Sequence, residues 1–217
     1  KLLSARFGVP VTVGDAKFSA FPTELRMSNV MLGDIKLPQV VASGELSSLA
    51  SGDKVWRNVD VTGLELDAAQ VDRLVGWATA EPAARHQAFT LQRIRASGVG
   101  INGTPVKAPK FDATILVAPN GAVKQATLAL PDGKAQVLLS PEEKGWLVDI
   151  ESRGVAWPIG PKVAWESLRS RGIANRDGMK FDEIILTYAG GSARGSGDLG
   201  WTGSWKFTGT IEASGID

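Results

Sequence analysis

The fold of this chain is decided by the stretch Gly145-Trp146-Leu147-Val148-Asp149-Ile150-Glu151, where apolar and polar side chains alternate. Successive side chains of a β-strand point to opposite faces of a sheet, so a period of two predicts a strand with one buried face. Residues 111–117 and 205–212 alternate in the same way. The pattern is typical of half-buried antiparallel strands.

Noisier alternation continues on both sides of these three segments. With them it predicts a mainly β fold of roughly eleven strands, more than a typical sheet contains. The turn signals Asn102-Gly103, Asn120-Gly121, Asp132-Gly133 and Glu142-Glu143-Lys144-Gly145 predict hairpins, the first of them a type I′ turn. From about 88 to 153 we therefore expect a meander of consecutive hairpins. The noisier runs are 23–33, 36–43, 54–66, 89–97, 121–130, 134–140, 178–189 and 193–201.

Two segments are predicted to form short α-helices. Asp67 is a suitable N-cap for a helix over 68–77, whose apolar stripe includes Val71 and Leu74. A second helix is predicted over 161–171, because this segment starts on Pro161 and stops at Gly172. Crossover helices of the kind that parallel sheets need are otherwise missing. We expect one β-rich domain over 1–217, with a weak break near 80–84, and a chain that is a fragment of a longer protein.

The composition excludes several classes of function. The 217 residues carry a formal net charge of +1, too little positive charge for sequence-independent nucleic-acid binding. The chain has no cysteine and a single histidine, His86, which excludes disulfides, thiol catalysis and metal sites built on cysteine or several histidines. Gly and Pro, 25 and 11 residues, are placed at turns and strand bends. No stretch reaches the roughly 18 apolar residues of a membrane-spanning helix.

The sequence contains no clear catalytic or ligand-binding motif. The glycine-rich segment 190–197 lacks the Lys-Ser/Thr ending of a phosphate loop and fits a strand bend better. His86 lies in a polar stretch and is expected to be solvated. Arg169, Arg171 and Arg176 could meet anionic groups, but the favoured explanation is a solvated helix end where cations complement the helix dipole. We therefore expect no catalytic residue, no metal site, no cofactor and no enzymatic activity.

One short segment has an echo elsewhere in the chain. Residues 26–33 resemble 95–102, since in each a basic residue and a Ser precede a Val-x-Leu/Ile pair. The similarity is compatible with a sheet that grows by adding similar units.

A long sheet with one apolar face must cover that face or leave it open. A barrel or sandwich would make it ordinary core, which is the commoner outcome, whereas a curled trough would make it a binding groove. If it is a groove, the candidate lining residues that could contact lipid acyl chains are Phe111, Ile115, Val117, Trp146, Val148 and Ile150.

Several segments resemble AsmA-like proteins. Residues 18–32 contain an apolar-Pro step, Phe21-Pro22, that leads into a strand ending in Asn29-Val30-Met31-Leu32. The similarity continues through 41–53 and 59–66. Further segments that resemble the family are 165–172, 188–191 and 195–201.

The resemblance implies a fold and a function. AsmA-like proteins are anchored in the inner membrane of Gram-negative bacteria by an N-terminal helix, which this chain would lack. Their periplasmic part is an extended antiparallel meander curled into a groove or half-barrel, and it is implicated in lipid transport toward the outer membrane. The chain is then expected to be a non-enzymatic, lipid-binding module of cell envelope biogenesis, with envelope proteins as partners. The alternative is a scaffolding β domain of a secretion machine, like the N component of type II secretion, acting through protein contacts.

Overall fold

A computed structural model describes Ser4 and residues 9–45, 54–79, 89–103, 109–156, 164–202 and 205–215. The protein is mainly β, with an open, largely antiparallel sheet of many strands. Fifteen strands and one helix are described, against the roughly eleven strands and two helices predicted. The chain divides into two compact units, Lys1–Lys124 (unit 1) and Gln125–Asp217 (unit 2). The predicted break at 80–84 lies outside the described residues.

Unit 1 contains eight strands and the helix α1, and β9 begins at its end. In space the strand order is β1-β3-β4-β5-β7-β8, with β2 beside β3 and β6 beside β7. Pairing is antiparallel except that β5 and β6 run parallel to β7. The helix α1 lies between β6 and β7 in sequence. The bounds are β1 Val11–Thr12, β2 Asp15–Ser19, β3 Glu24–Leu32, β4 Ile35–Gly44, β5 Lys54–Thr62, β6 Glu65–Asp67, α1 Ala68–Thr79, β7 Phe89–Asn102 and β8 Phe111–Val117.

An eight-residue motif recurs three times in unit 1 and explains the echo seen in the sequence. Its pattern is apolar-x-apolar-Ser/Thr-Gly/Asn-apolar-x-apolar, and we call it the octad. The fifth residue has a positive φ in every copy: 50° at Asn29, 71° at Gly63 and 65° at Gly98. The copies are residues 25–32, 59–66 and 94–101.

The left-handed residue keeps the octad on one face of the sheet. Its third and sixth residues are three apart, so on a regular strand they would point to opposite faces. A residue at positive φ shifts the alternation by one, as a β-bulge does. Both Val61 and Leu64, on either side of Gly63, are therefore buried. The second and third octads lie side by side in parallel, with Val59 opposite Ile94 and Leu66 opposite Ile101.

The core of unit 1 is built from these octads and closed by the helix. Ile35 is completely buried, and Val71 and Leu74 of α1 pack against the same cluster. The predicted N-cap is confirmed: Asp67 Oδ1 accepts from the Gln70 amide at 2.8 Å, and Gln70 Oε1 accepts from the Asp67 amide at 3.0 Å. The cluster comprises Val30, Leu32, Ile35, Val40, Val61, Leu64, Leu66, Ala96 and Val99.

Unit 2 is a meander of strands β9 to β15. Each strand pairs antiparallel with the next in the chain, so strand order equals sequence order. No helix lies within 125–156, 164–202 or 205–215. The bounds are β9 Val123–Ala129, β10 Ala135–Glu142, β11 Gly145–Ala156, β12 Ala164–Ala174, β13 Gly178–Tyr188, β14 Gly191–Gly200 and β15 Lys206–Ser214.

Three sequence predictions of local structure were wrong. The helix expected over 161–171 is strand β12 from Ala164 onward, because its apolar and small side chains follow a period of two against β11 and β13. The two-residue turn expected at Asn102-Gly103 is not formed, since the register places Val99 opposite Phe111. The strand expected over 54–66 divides at Gly63 into β5 and β6.

Candidate apolar binding face

One face of strands β10 to β15 carries apolar side chains and glycines arranged in rows across the strands. Residues opposite each other in antiparallel strands share a face, so the register defines the rows. We call this surface, from β10 to β15, the apolar face. Its four rows are Pro141-Trp146-Ala174-Met179-Leu199-Phe207, Leu139-Val148-Gly172-Phe181-Gly197-Gly209, Val137-Ile150-Ser170-Ile184-Gly195-Ile211 and Ala135-Ser152-Leu168-Leu186-Ala193-Ala213.

None of these row positions carries an ionisable side chain. Only Val148, Met179 and Ala193 among the apolar members are fully buried, while the others on β10 to β14 are half-buried apart from the exposed Pro141. On β15 the exposure is larger, 44% for Phe207 and 53% for Ile211. Within the described ranges of unit 2 there is no element that covers these rows.

The opposite face of the same strands is charged. Arg169 pairs with Glu151 at 3.2 Å, and Arg171 pairs with Asp149 at 3.5 Å, both between β12 and β11. Arg194 on β14 pairs with Glu183 on β13 at 3.3 Å. These exposed ion pairs add little to stability, but they show which face of the sheet water wets. The sheet of unit 2 therefore has one face that carries these ion pairs and one face with four rows that contain no ionisable side chain.

Three glycines, Gly195, Gly197 and Gly209, form a strip without side chains across β14 and β15 on the apolar face. A Cβ at Gly197 would lie 2.6 Å from the Thr208 carbonyl oxygen, and one at Gly209 would lie 2.3 Å from the Ser196 carbonyl oxygen. The Phe207 ring lies over both glycines and is 6.5 Å from the Phe181 ring, centroid to centroid. Larger residues would have to displace the backbone here, so the strip is a consequence of close strand packing.

Two hydroxyls are buried among the apolar rows. Ser152 is 3% exposed and Ser170 is 7% exposed. The Ser170 Oγ atom has no hydrogen-bond partner within the described part of the chain. By register Ser170 lies between Ile150 and Ile184, so a polar atom sits within an apolar row.

The six predicted lining residues fall into both units. Trp146, Val148 and Ile150 lie in adjacent positions on the apolar face of unit 2. Phe111, Ile115 and Val117 are in β8 of unit 1, where Phe111 packs against the core cluster and Ile115 lies opposite Ile94. The predicted lining residues did not include the members from β12 to β15, half of which are glycine, serine or alanine.

The other sequence candidates are three arginines, a glycine-rich segment and His86. The Arg169 and Arg171 side chains belong to a strand and pair with carboxylates, so the helix-end interpretation was wrong. Arg176 is exposed in the turn before β13, and its carbonyl accepts from the Trp201 indole at 2.9 Å. The segment 190–197 consists of the turn residue Gly190 and the first part of strand β14. His86 lies outside the described residues.

The described residues contain no cluster of three or more acidic or histidine side chains that could hold a metal ion. They also contain no helix both long and apolar enough to cross a lipid bilayer.

Comparison of the chain with protein-family models, with curated proteins and with solved structures gave no match.

Proposed function

We propose that the chain is a non-enzymatic lipid-binding module whose apolar face holds acyl chains. The observation that carries this proposal is the contrast between the two faces of unit 2. Its apolar face presents four rows without an ionisable side chain, while three ion pairs lie on the other face. Large uncharged patches rimmed by polar residues are typical of ligand, lipid or partner sites.

An acyl chain suits this surface better than a compact ligand does. The rows run across the strands and offer hydrocarbon contacts over several successive strands. Phe207, whose ring lies over Gly197 and Gly209, and Phe181 beside it offer aromatic surface within the same rows. Each methylene removed from water contributes roughly 0.8 kcal/mol, so a chain contacting several strands gains useful affinity without any specific polar group.

The resemblance to AsmA-like proteins supports the same function. It implies that the apolar face is the inner surface of a groove and that the protein acts in the periplasm, anchored to the inner membrane through a segment outside this chain. It also implies a role in outer-membrane lipid transport or envelope biogenesis, with envelope proteins as partners. No nucleic-acid partner is expected at a net charge of +1.

The alternative is a scaffolding domain of an envelope or secretion machine. The observation that favours it is the exposed edge of β15, where all nine residues are exposed. A strand edge of this kind binds other strands rather than lipid, so the two functions use different parts of unit 2.

Adjacent isoleucines on β13 provide the test. Ile184 lies on the apolar face, opposite Ser170 and Gly195, while Ile185 lies on the charged face, opposite Arg169 and Arg194. Both are half-buried. Delipidated protein is titrated with a fluorescent fatty acid and with phospholipid, comparing Ile184→Asp with Ile185→Asp. We expect Ile184→Asp to weaken binding at least about tenfold, because a buried carboxylate opposes hydrocarbon.

Ile185→Asp should leave the affinity within about twofold of the original chain, since its neighbours are solvated arginines. Circular dichroism of both variants checks that the sheet is intact. A delipidated chain that takes up neither probe, or two variants with equal affinities, would refute acyl-chain binding at this face.

A further inference from the structure

The last described strand of unit 2, β15, has an open edge. In strand order β15 follows β14, and no described strand lies on its other side. The Thr208 and Thr210 carbonyl oxygens lie toward β14, close to Gly197 and Gly195. A residue of an antiparallel strand directs its N–H and C=O to the same side. The intervening residues Phe207, Gly209 and Ile211 therefore direct their backbone groups away from β14.

The edge lacks the usual protection against pairing. It is nine residues long and contains no Pro, and its charges, Lys206 and Glu212, lie near its two ends. Natural edge strands are commonly shortened, bulged or interrupted by Pro or inward charges. The register of β15 against β14 is continuous from Lys206 to Ser214, without a bulge. The strand is a regular template for one more strand.

The sequence of β15 is complementary to itself in antiparallel orientation. Residues 206–212 read Lys-Phe-Thr-Gly-Thr-Ile-Glu. When two copies pair about Gly209, Lys206 of each copy lies opposite Glu212 of the other. Phe207 then lies opposite Ile211, Thr208 opposite Thr210, and Gly209 opposite Gly209. Opposite charges, aromatic with β-branched side chains and threonine pairs are the cross-strand combinations that stabilise antiparallel strands.

We propose that β15 pairs with β15 of a second copy of this chain, as a two-fold symmetric antiparallel pair centred on Gly209. Such an interface is isologous and closes after two subunits, so it gives a dimer rather than a fibre. Phe207, Gly209 and Ile211 supply the backbone hydrogen bonds. Because opposite residues share a face, the apolar faces of the two copies lie on the same side of the joined sheet.

The side-chain charges on β15 have no other described partner. Glu212 lies opposite Arg194, but Arg194 is paired with Glu183 on the neighbouring strand. No ion pair of Lys206 is found within the described part of the chain, where it lies opposite Gly200. In the proposed pair, each dimer gains two Lys206–Glu212 contacts. A strand from an unrelated protein would need the same pattern of charges to use this edge equally well.

Charge reversal tests the pairing and its register. Sedimentation of the 217-residue chain should show a reversible dimer. Lys206→Glu and Glu212→Lys each place like charges opposite one another and should raise the dissociation constant roughly tenfold. An equimolar mixture of the two variants, and the double variant Lys206→Glu/Glu212→Lys, should both recover the original constant. Lys144→Glu, in the turn between β10 and β11, makes the same change of charge and should leave it unchanged.

Cysteine cross-linking gives a second measurement of the register, since the chain has no cysteine of its own. Thr208 and Thr210 of different copies form a non-hydrogen-bonded pair with Cα atoms roughly 4.5 Å apart, a distance that a disulfide spans. Thr208→Cys mixed with Thr210→Cys should form a cross-linked heterodimer on oxidation, and Thr208→Cys alone should not.

The proposal is wrong if the chain is monomeric at its highest soluble concentration, or if Lys144→Glu weakens the dimer as much as Lys206→Glu. It is equally wrong if the mixed charge variants fail to recover the dimer. A disulfide formed by Thr208→Cys alone would show a different register and overturn the centre at Gly209.

Discussion

Unit 1 and unit 2 share the alternation of apolar and polar residues but differ in how far their apolar side chains are buried. Both consist of strands with one apolar face. In unit 1 the octads gather a cluster around the fully buried Ile35, and Val71 and Leu74 of α1 cover it. In unit 2 the buried apolar side chains are few, namely Ala126, Val148, Met179 and Ala193, and no described element covers the rows. Alternation specifies a sheet, whereas a covering helix decides whether its apolar face becomes core.

The largest expected effect tests this difference in the cores. Ile35→Ala removes a completely buried side chain and should lower the free energy of unfolding by about 3 kcal/mol. Ile184→Ala removes the same atoms from the half-buried apolar face, and we expect about 1 kcal/mol, because water already reaches this site. Urea denaturation measures both values, with amide exchange to read each unit separately. Equal losses would mean that the apolar face of unit 2 is covered as completely as the core of unit 1.

The space around an added methyl group differs between a glycine of unit 2 and a glycine of unit 1. A methyl group at Gly197 would meet the Thr208 carbonyl oxygen at 2.6 Å and the Phe207 ring at 2.8 Å. Gly197→Ala should therefore cost about 2 kcal/mol by forcing β14 and β15 apart. Gly76 is in α1, and nothing lies within 4 Å of the position of its added Cβ.

Gly76→Ala is the matched control for this substitution. It should raise the free energy of unfolding by roughly 0.5–1 kcal/mol, since alanine favours a helix interior. Thermal and urea unfolding of the two variants give the comparison. If Gly197→Ala is as stable as the original chain, the close approach of β14 and β15 is not what requires glycine at this position.

The octad supplies a prediction for backbone conformation alone. Gly98 has φ of 65°, and a Cβ added there would meet no atom within 4 Å. Gly98→Ala should cost about 1 kcal/mol and Gly98→Val more, while Gly98→Asn should cost least, because Asn29 holds the same position in the first octad. Urea denaturation ranks the three variants. If Gly98→Val is more stable than Gly98→Asn, the left-handed conformation at this position is not what determines the residue there.

A related motif, residues 150–157, occurs in unit 2, though serine and arginine occupy its third and fourth positions. Gly154, its fifth residue, has φ of 61°. The sequence similarity between 26–33 and 95–102 rests on a basic residue and a Ser, so it includes only two of the three octads. Residues 59–66 carry Asp and Thr instead, and the shared apolar spacing becomes visible only when the positive φ at Gly63 is known.

The strands and α1 were largely predictable, because alternation and capping are local signals. Strand β12 was not, since Pro161 and Gly172 resemble the two ends of a helix, and Leu168 is the only large apolar residue that β12 contributes to the apolar rows. Other positions of the candidate site were hidden for the same reason. Glycine, serine and alanine add nothing to a hydrophobic period, and only the register against neighbouring strands places them on the apolar face.

The smallest expected effect concerns the attachment of α1 in unit 1, for which the described part of unit 2 has no counterpart. Arg73 of α1 donates to Asp34 Oδ2, 2.5 Å away, in the turn between β3 and β4. This hydrogen bond holds the pKa of Asp34 below its ordinary value of 3.8. A carboxyl group whose pKa is lower in the folded state than in the unfolded state stabilises the folded state at pH values above its ordinary pKa. This stabilisation is lost as the pH falls through the lowered pKa.

We therefore expect the amide protection of α1 to fall, slightly, as the solution is acidified below pH 3.8. Asp34→Asn should remove this contribution to the pH dependence, and Arg73→Ala should remove it too, because each substitution deletes the same contact. The double variant should behave like either single variant, since the two groups act as one pair. Amide exchange of α1 measured against that of β4 separates this local effect from general acid unfolding. Unchanged acid sensitivity of α1 in Asp34→Asn would mean that the Arg73–Asp34 pair does not contribute to it.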